Sequence, residues 1–316
     1  MDKQTFLIVL LSGQFALLTL DVRERFLRHP GRAHSDGLRP ATLLFLAGTI
    51  AVYGALQYGG LALVPTAEEL LVYFQAVVSD WLSTARTDVH PGAHIVVVVG
   101  IGSFYLAGLC DYLFHRFISH SRPLWFSHEN HHLTTDVAIY MPGLSVRPFA
   151  VVSILPTMAV TIFLVQLVLG VAGHSAWNVM PVLYSVVLVQ VSILGLTHSA
   201  FLRRCSWVQQ ILRPVGVTTP QEHWLHHTAD LKCNYGNFVI FWDRIFGTYI
   251  DPQTVDIEGH RAGLDYDQDF LGTLTLGRIK LPERWRRRFE LSRFCYLESS
   301  PSRVWPDALR DSAGLS

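Results

Sequence analysis

In residues 93–132, AHIVVVVGIGSFYLAGLCDYLFHRFISHSRPLWFSHENHH, a long apolar run opens onto five histidines. A run of about 20 apolar residues is what a helix needs to cross the hydrocarbon core of a bilayer. The histidines after it are His115 and His120 in HRFISH, then His128, His131 and His132 in HENHH. The pattern returns downstream, where His198 in LTHSAF ends a second apolar stretch and HWLHH supplies His223, His226 and His227. The chain has 15 histidines, and nine of them sit in these four clusters. Imidazole suits zinc, copper and iron, and a set this large has room for two ions.

Composition points the same way. Half of the residues are hydrophobic and only 16% are charged, with a mean hydropathy of +0.29. Such a balance fits a polytopic membrane protein rather than a water-soluble domain. The formal net charge of zero gives no basis for a nucleic-acid partner. The four cysteines, Cys110, Cys205, Cys233 and Cys295, are scattered without a CxxC, which argues against a disulfide framework or a thiolate metal site.

Five stretches are expected to span: Gln4–Leu20, Ala41–Val64, Ala93–Phe114, Pro148–Val171 and Val179–Leu196. The first is short, but LTLDVRERF offers no small-residue cleavage site, so it reads as a retained helix. Arginines set the expected sidedness. Arg23, Arg25, Arg28, Arg32 and Arg39 crowd the loop after the first helix, and Arg284, Arg286, Arg287 and Arg288 form a run near the C-terminus. The positive-inside rule puts both on the cytoplasmic side. Counting crossings from there, all four histidine clusters fall on that same face. The expected architecture is therefore all-α, a bundle of about four to five spanning helices under a cytoplasmic, histidine-rich cap. It divides into N-terminal helices (1–92), a catalytic unit (93–250) and a cytoplasmic tail (251–316) with aromatics such as Trp285, Phe289 and Trp305. The amphipathic stretch Thr66–Ser83 suits either the membrane interface or a seat on the bundle.

The spacings carry the chemistry. H-x-x-H-H places histidines at i, i+3 and i+4, on one face of a helix, and it occurs twice, at His128/His131/His132 and at His223/His226/His227. His115 and His120, five apart, are about 140° apart on a regular helix. Only a helix end or a π-type bulge between them brings both to one site. Asp111 lies one turn before His115, where a carboxylate can accept the distal N–H of a ligating imidazole. His29, His34, His90, His94, His174 and His260 fall outside the pattern.

The stretches DYLFHRFISH, FSHENHHLT, LTHSAF and HWLHHTADLKCNYGNFVIFWDRIFGTY resemble the fatty acid hydroxylase and sterol desaturase superfamily of integral-membrane di-iron oxygenases. The resemblance covers roughly residues 104–249. It implies His115, His120, His128, His131, His132, His198, His223, His226 and His227 as metal ligands, with Asn234 of NYGN as a neighbouring support. It also implies two iron ions, with zinc able to occupy the same cage on purification, and dioxygen as co-substrate. Two features depart from the common pattern. The first histidine pair is one residue wider than H-x-x-x-H, and Ala200 and Leu202 stand where the family often has Asn or a further histidine. One ion is thus expected to have fewer protein ligands, or a ligand outside these motifs.

The function expected from these residues is O2-dependent hydroxylation or desaturation of a membrane lipid, such as a sterol or a fatty acyl or alkyl lipid. GIGSFY at residues 100–105 is a broken G-x-G-x-x-G inside an apolar run, so no nicotinamide or flavin site is expected. Electrons would come from a separate ferredoxin or cytochrome b5-type donor. Two other classes compete. HENHH contains H-E-x-x-H, the pattern of a zinc protease with Glu129 as base, and a non-catalytic metal-binding membrane protein would also keep the histidines.

Overall fold

An apolar run in lipid folds as a helix because the bilayer core offers its backbone no other hydrogen-bond partner. The computed structural model describes residues 3–28, 40–82, 91–134, 137–139, 146–228, 232–256, 260 and 262–288. It has a helix at each of the five expected stretches: α1 (Lys3–Arg28), α2 (Pro40–Leu61), α4 (Ala93–Phe114), α6 (Val151–Val171) and α7 (Met180–Thr197). By length and composition, three among the described residues can cross a membrane: Ala93–Ser119, Val151–Val171 and Met180–Thr197. Arg32, Arg39, Phe289 and Trp305, and the excluded His29, His34 and His90, lie outside the described residues.

Helix α4 is central and packs on both α6 and α7, while α1 lies along α7. The amphipathic stretch forms α3 (Ala67–Trp81), which is seated on α6. A capping box at Thr66 and Glu69 starts it, satisfying two otherwise orphaned amide groups. Leu71 of α3 meets Ile162, Val165 and Leu169 of α6 and Leu183 of α7 in one apolar cluster.

A second core lies at the histidine end. It joins Tyr53 of α2, Leu133, Trp224, Leu225, Leu264 and Phe270. The Tyr53 hydroxyl lies 2.9 Å from that of Thr273. Residues well past 250 thus close over the cap. The described residues contain no strand, only two isolated bridges, Val217 with Val239 and Thr228 with Ala262. Where Val239 meets α4, Gly108 leaves room, since a Cβ there would come within 2.6 Å of the valine side chain.

Candidate metal centre

The histidine-bearing segments are short and begin where α4 and α7 end. Helix α4 runs into a π turn over His115–Ser119, closed by the His120 amide donating to the His115 carbonyl at 3.1 Å. The wider i→i+5 turn absorbs the five-residue spacing and turns both imidazoles inward. Helix α5 (Glu129–His132) carries the first H-x-x-H-H; past α8 (Ser206–Leu212), α9 (Pro220–His226) carries the second. The latter starts with Thr219 and Glu222 as a capping box and proline at its first turn. The Glu222 carboxylate continues to Arg213 at 3.2 Å and to the Tyr249 hydroxyl at 3.1 Å. His198 caps α7.

All nine expected histidines come together, in two groups. His115, His120, His128, His132 and His226 form the first, and His131, His198, His223 and His227 the second. Each H-x-x-H-H splits between them. The i and i+4 members His128 and His132 serve the first group while His131 serves the second, and His223 and His227 serve the second while His226 serves the first. Eight of the nine are buried, and His120 is half-buried.

The donor set fits metal ions. Nε2 atoms face one another at 2.9 Å (His115 with His128), 3.0 Å (His128 with His132) and 3.2 Å (His115 with His120). In the second group they lie 2.9 Å (His198 with His223), 3.2 Å (His223 with His227) and 3.4 Å (His131 with His198) apart. Nitrogens about 2.0–2.1 Å from one ion sit about 2.9–3.4 Å from each other in octahedral or tetrahedral arrangements. Backbone carbonyls select which nitrogen faces inward. His115 Nδ1 donates to Tyr235 at 2.5 Å, His198 Nδ1 to Leu194 at 2.6 Å and His226 Nδ1 to Cys233 at 2.9 Å. With its Nδ1 proton so engaged, each of these rings turns an Nε2 lone pair inward. His226 Nε2 is buried without a hydrogen-bond partner, as are Nδ1 of His132, His223 and His227.

Burial keeps the rings neutral and ready to ligate. It holds His120, His128, His131, His132, His223 and His227 well below the usual histidine value, and neighbouring imidazoles push the same way. It lowers His198 and His226 to about 4.

The supporting residues sit differently from expectation. The Asp111 carboxylate binds the Asn237 amide at 3.0 and 3.1 Å, and it is the Asn237 side chain that lies 3.2 Å from His115 Nδ1. His115 Nδ1 gives its proton to the Tyr235 carbonyl, so Asp111 holds the Asn237 side chain beside the imidazole without accepting from it. Asn234 bonds no histidine. At φ 51° it donates to the carbonyls of Glu222 and Ile250 and pins α9 to the following loop. Asp243 holds that loop from the other side, accepting from the amides of Tyr235 and Gly236 and the Thr248 hydroxyl at 2.7–2.8 Å. Gly236 is required there, because a Cβ would lie 2.3 Å from the Val239 carbonyl. Glu129 makes its hydrogen bonds away from the imidazole nitrogens, to Tyr266 and Gln268. It accepts from the Tyr266 hydroxyl at 2.6 Å and twice from Gln268 at 3.1 Å. Tyr266 in turn receives the indole N–H of Trp125, whose ring lies 5.2 Å from His120. The carbonyl partners and the Tyr266–Gln268 pair had no signal in the sequence, whereas Asn237 stands inside the quoted NYGN.

Residues 100–248 match the family model described as fatty acid hydroxylase. No curated protein and no solved structure matches the chain. The matched segment holds every one of the nine histidines and belongs with the superfamily that the motifs resemble.

Proposed function

We propose, from the premise that residues 100–248 carry a fatty acid hydroxylase domain, that this chain is a membrane-embedded di-iron oxygenase that hydroxylates or desaturates a lipid. The observation that carries the reading is the division of nine imidazoles into converging groups of five and four. The first group would hold one ion through His115, His120, His128, His132 and His226, and the second the other through His131, His198, His223 and His227. Iron, when bound, supplies the dioxygen-activating redox chemistry that an unactivated C–H bond requires.

The chain's own residues do the rest. The carbonyls of Tyr235, Leu194 and Cys233 orient imidazoles so that Nε2 faces the ions. The surrounding core keeps bulk water from most of the cage. The apolar surfaces of α4, α6 and α7 suit a substrate arriving from the bilayer. The protein would be multi-pass, with the cage on the cytoplasmic side and a separate ferredoxin or cytochrome b5-type protein delivering electrons there. The position of Glu129 weighs against the zinc-protease alternative. A general base must reach the water it activates, and this carboxylate is engaged by Tyr266 and Gln268 instead.

Two measurements test the reading. Elemental analysis of folded protein should find about two transition-metal ions per chain, and absence of stoichiometric metal would sink it. Mass spectrometry of lipid extracts from cells with and without the protein should reveal an oxygenated or desaturated product, dependent on oxygen and reductant.

A further inference from the structure

Asp21 lies far from the histidines in sequence, in α1 and outside the matched segment. Its carboxylate is 1% exposed and accepts four hydrogen bonds. Oδ1 takes the Ser199 hydroxyl at 2.5 Å and the Phe201 amide at 3.1 Å, and Oδ2 takes the amides of Ala200 and Ile139 at 3.0 Å each. Three of these donors belong to the turn that begins directly after His198. The fourth, Ile139, lies seven residues past the end of α5, the helix that holds His131 of the second group and His132 of the first. His131 and His198 belong to the same histidine group, with Nε2 atoms 3.4 Å apart. One carboxylate thus ties the turn after His198 to α1 and to the backbone at Ile139.

Helix α1 is itself registered on α7. The Gln14 side chain donates to the Val191 carbonyl at 3.2 Å, and Glu24 lies 3.7 Å from Arg204. Asp21 sits between these contacts, so the position of α1 is passed to the His198 turn. A buried carboxylate is costly unless its oxygens are hydrogen-bonded, and here both are.

We propose that Asp21 is a positioning residue for the second histidine group: its bonds to Ser199, Ala200 and Phe201 hold the turn that carries His198 at ligating distance, so metal at that group depends on it, while metal at the first group, to which His198 does not belong, does not. The inference rests on the two-ion reading of the cage. It places in the N-terminal helix a determinant of metal loading that the matched segment lacks.

Zinc, which needs no redox chemistry, is the probe, titrated into metal-free full-length protein in detergent micelles. Wild type is expected to bind two ions. Asp21→Asn sets amide hydrogens against donors, and it should lose one ion and keep the other. Adding His198→Ala to that variant should cost no further metal, whereas adding His128→Ala should weaken the remaining site. Ser199→Ala, which keeps the carboxylate and removes its shortest partner, should weaken the second ion only, and it stands in if Asp21→Asn fails to fold. Asp21→Asn binding two ions with wild-type affinity, or either variant weakening both sites alike, overturns the proposal. A wild type that binds no zinc overturns the two-ion reading instead, and this inference with it.

Discussion

At the scale of single residues, Glu129 separates the candidate chemistries. A general base contributes ~10²–10⁴-fold to rate, so a protease would lose that much in Glu129→Gln while keeping its metal. Here Glu129 is 7% exposed and tied to Tyr266 and Gln268, and its loss should act on stability. Glu129→Gln would turn an amide toward the Gln268 amide, and a buried donor left unpaired costs about 1–3 kcal/mol. The variant is expected to melt earlier, hold its metal and keep most of its lipid turnover. His128→Ala should abolish turnover. Assaying both on a confirmed lipid substrate decides, and a base-sized loss in Glu129→Gln with metal intact would count against the oxygenase. His131→Ala and His226→Ala withdraw one imidazole from different groups. Each should abolish activity and lower metal content in elemental analysis; full turnover in either would remove that histidine from the set.

At the scale of elements, α9 owes its place to its ends. With only seven residues it cannot persist by helix propensity, so the Thr219–Glu222 box and the ties from Glu222 to Arg213 and Tyr249 matter. Thr219→Ala removes a cap worth about 0.5–2 kcal/mol. Because His223 and His226 ride on this helix and His227 caps it, metal affinity should fall along with thermal stability. A variant that melts earlier but binds metal as tightly as wild type would show that the cage holds α9, and not the reverse. The histidines were legible because their spacing is chemical. The five-residue step from His115 to His120 demanded a break in the helix, and the π turn at His115–Ser119 is that break. The exchange of His131 and His226 between groups was not legible, since H-x-x-H-H reads as one face until two such helices are set against each other. Nor were the carbonyls of Tyr235, Leu194 and Cys233, which are backbone atoms that any residue carries. Asp111 was expected to accept from a ligating imidazole, but the His115 Nδ1 proton goes to the Tyr235 carbonyl, and Asp111 binds Asn237, which arrives from more than 100 residues away.

At the scale of the whole molecule, the apolar helices and the cage are coupled through protons. A neutral imidazole buried in the fold becomes free to charge when the chain unfolds. His198 and His226 drop from 6.5 to about 4 on burial. Above pH 6.5 neither state binds these protons, and the stability is whole. Between pH 6.5 and about 4 the unfolded chain takes up protons that the folded chain refuses, so stability falls as pH falls. Each such group contributes up to about 1.4 kcal/mol per pH unit across that window. His120, His128, His131, His132, His223 and His227 are displaced in the same direction, so the slopes add. Metal-free protein should therefore show a melting temperature that is flat above about pH 7 and declines steeply below it. Replacing His226 by Gln, which does not titrate, should shallow that decline. Bound metal competes for the same nitrogens and should raise the melting temperature most at neutral pH, losing its effect as acid releases it. Thermal melts of apo and zinc-loaded protein in detergent, taken from pH 8 to pH 4, test both signs. A melting temperature that holds constant down to pH 5 would mean that the imidazoles take up protons in the fold as readily as in the unfolded chain, and a cage kept neutral by burial would have to be abandoned.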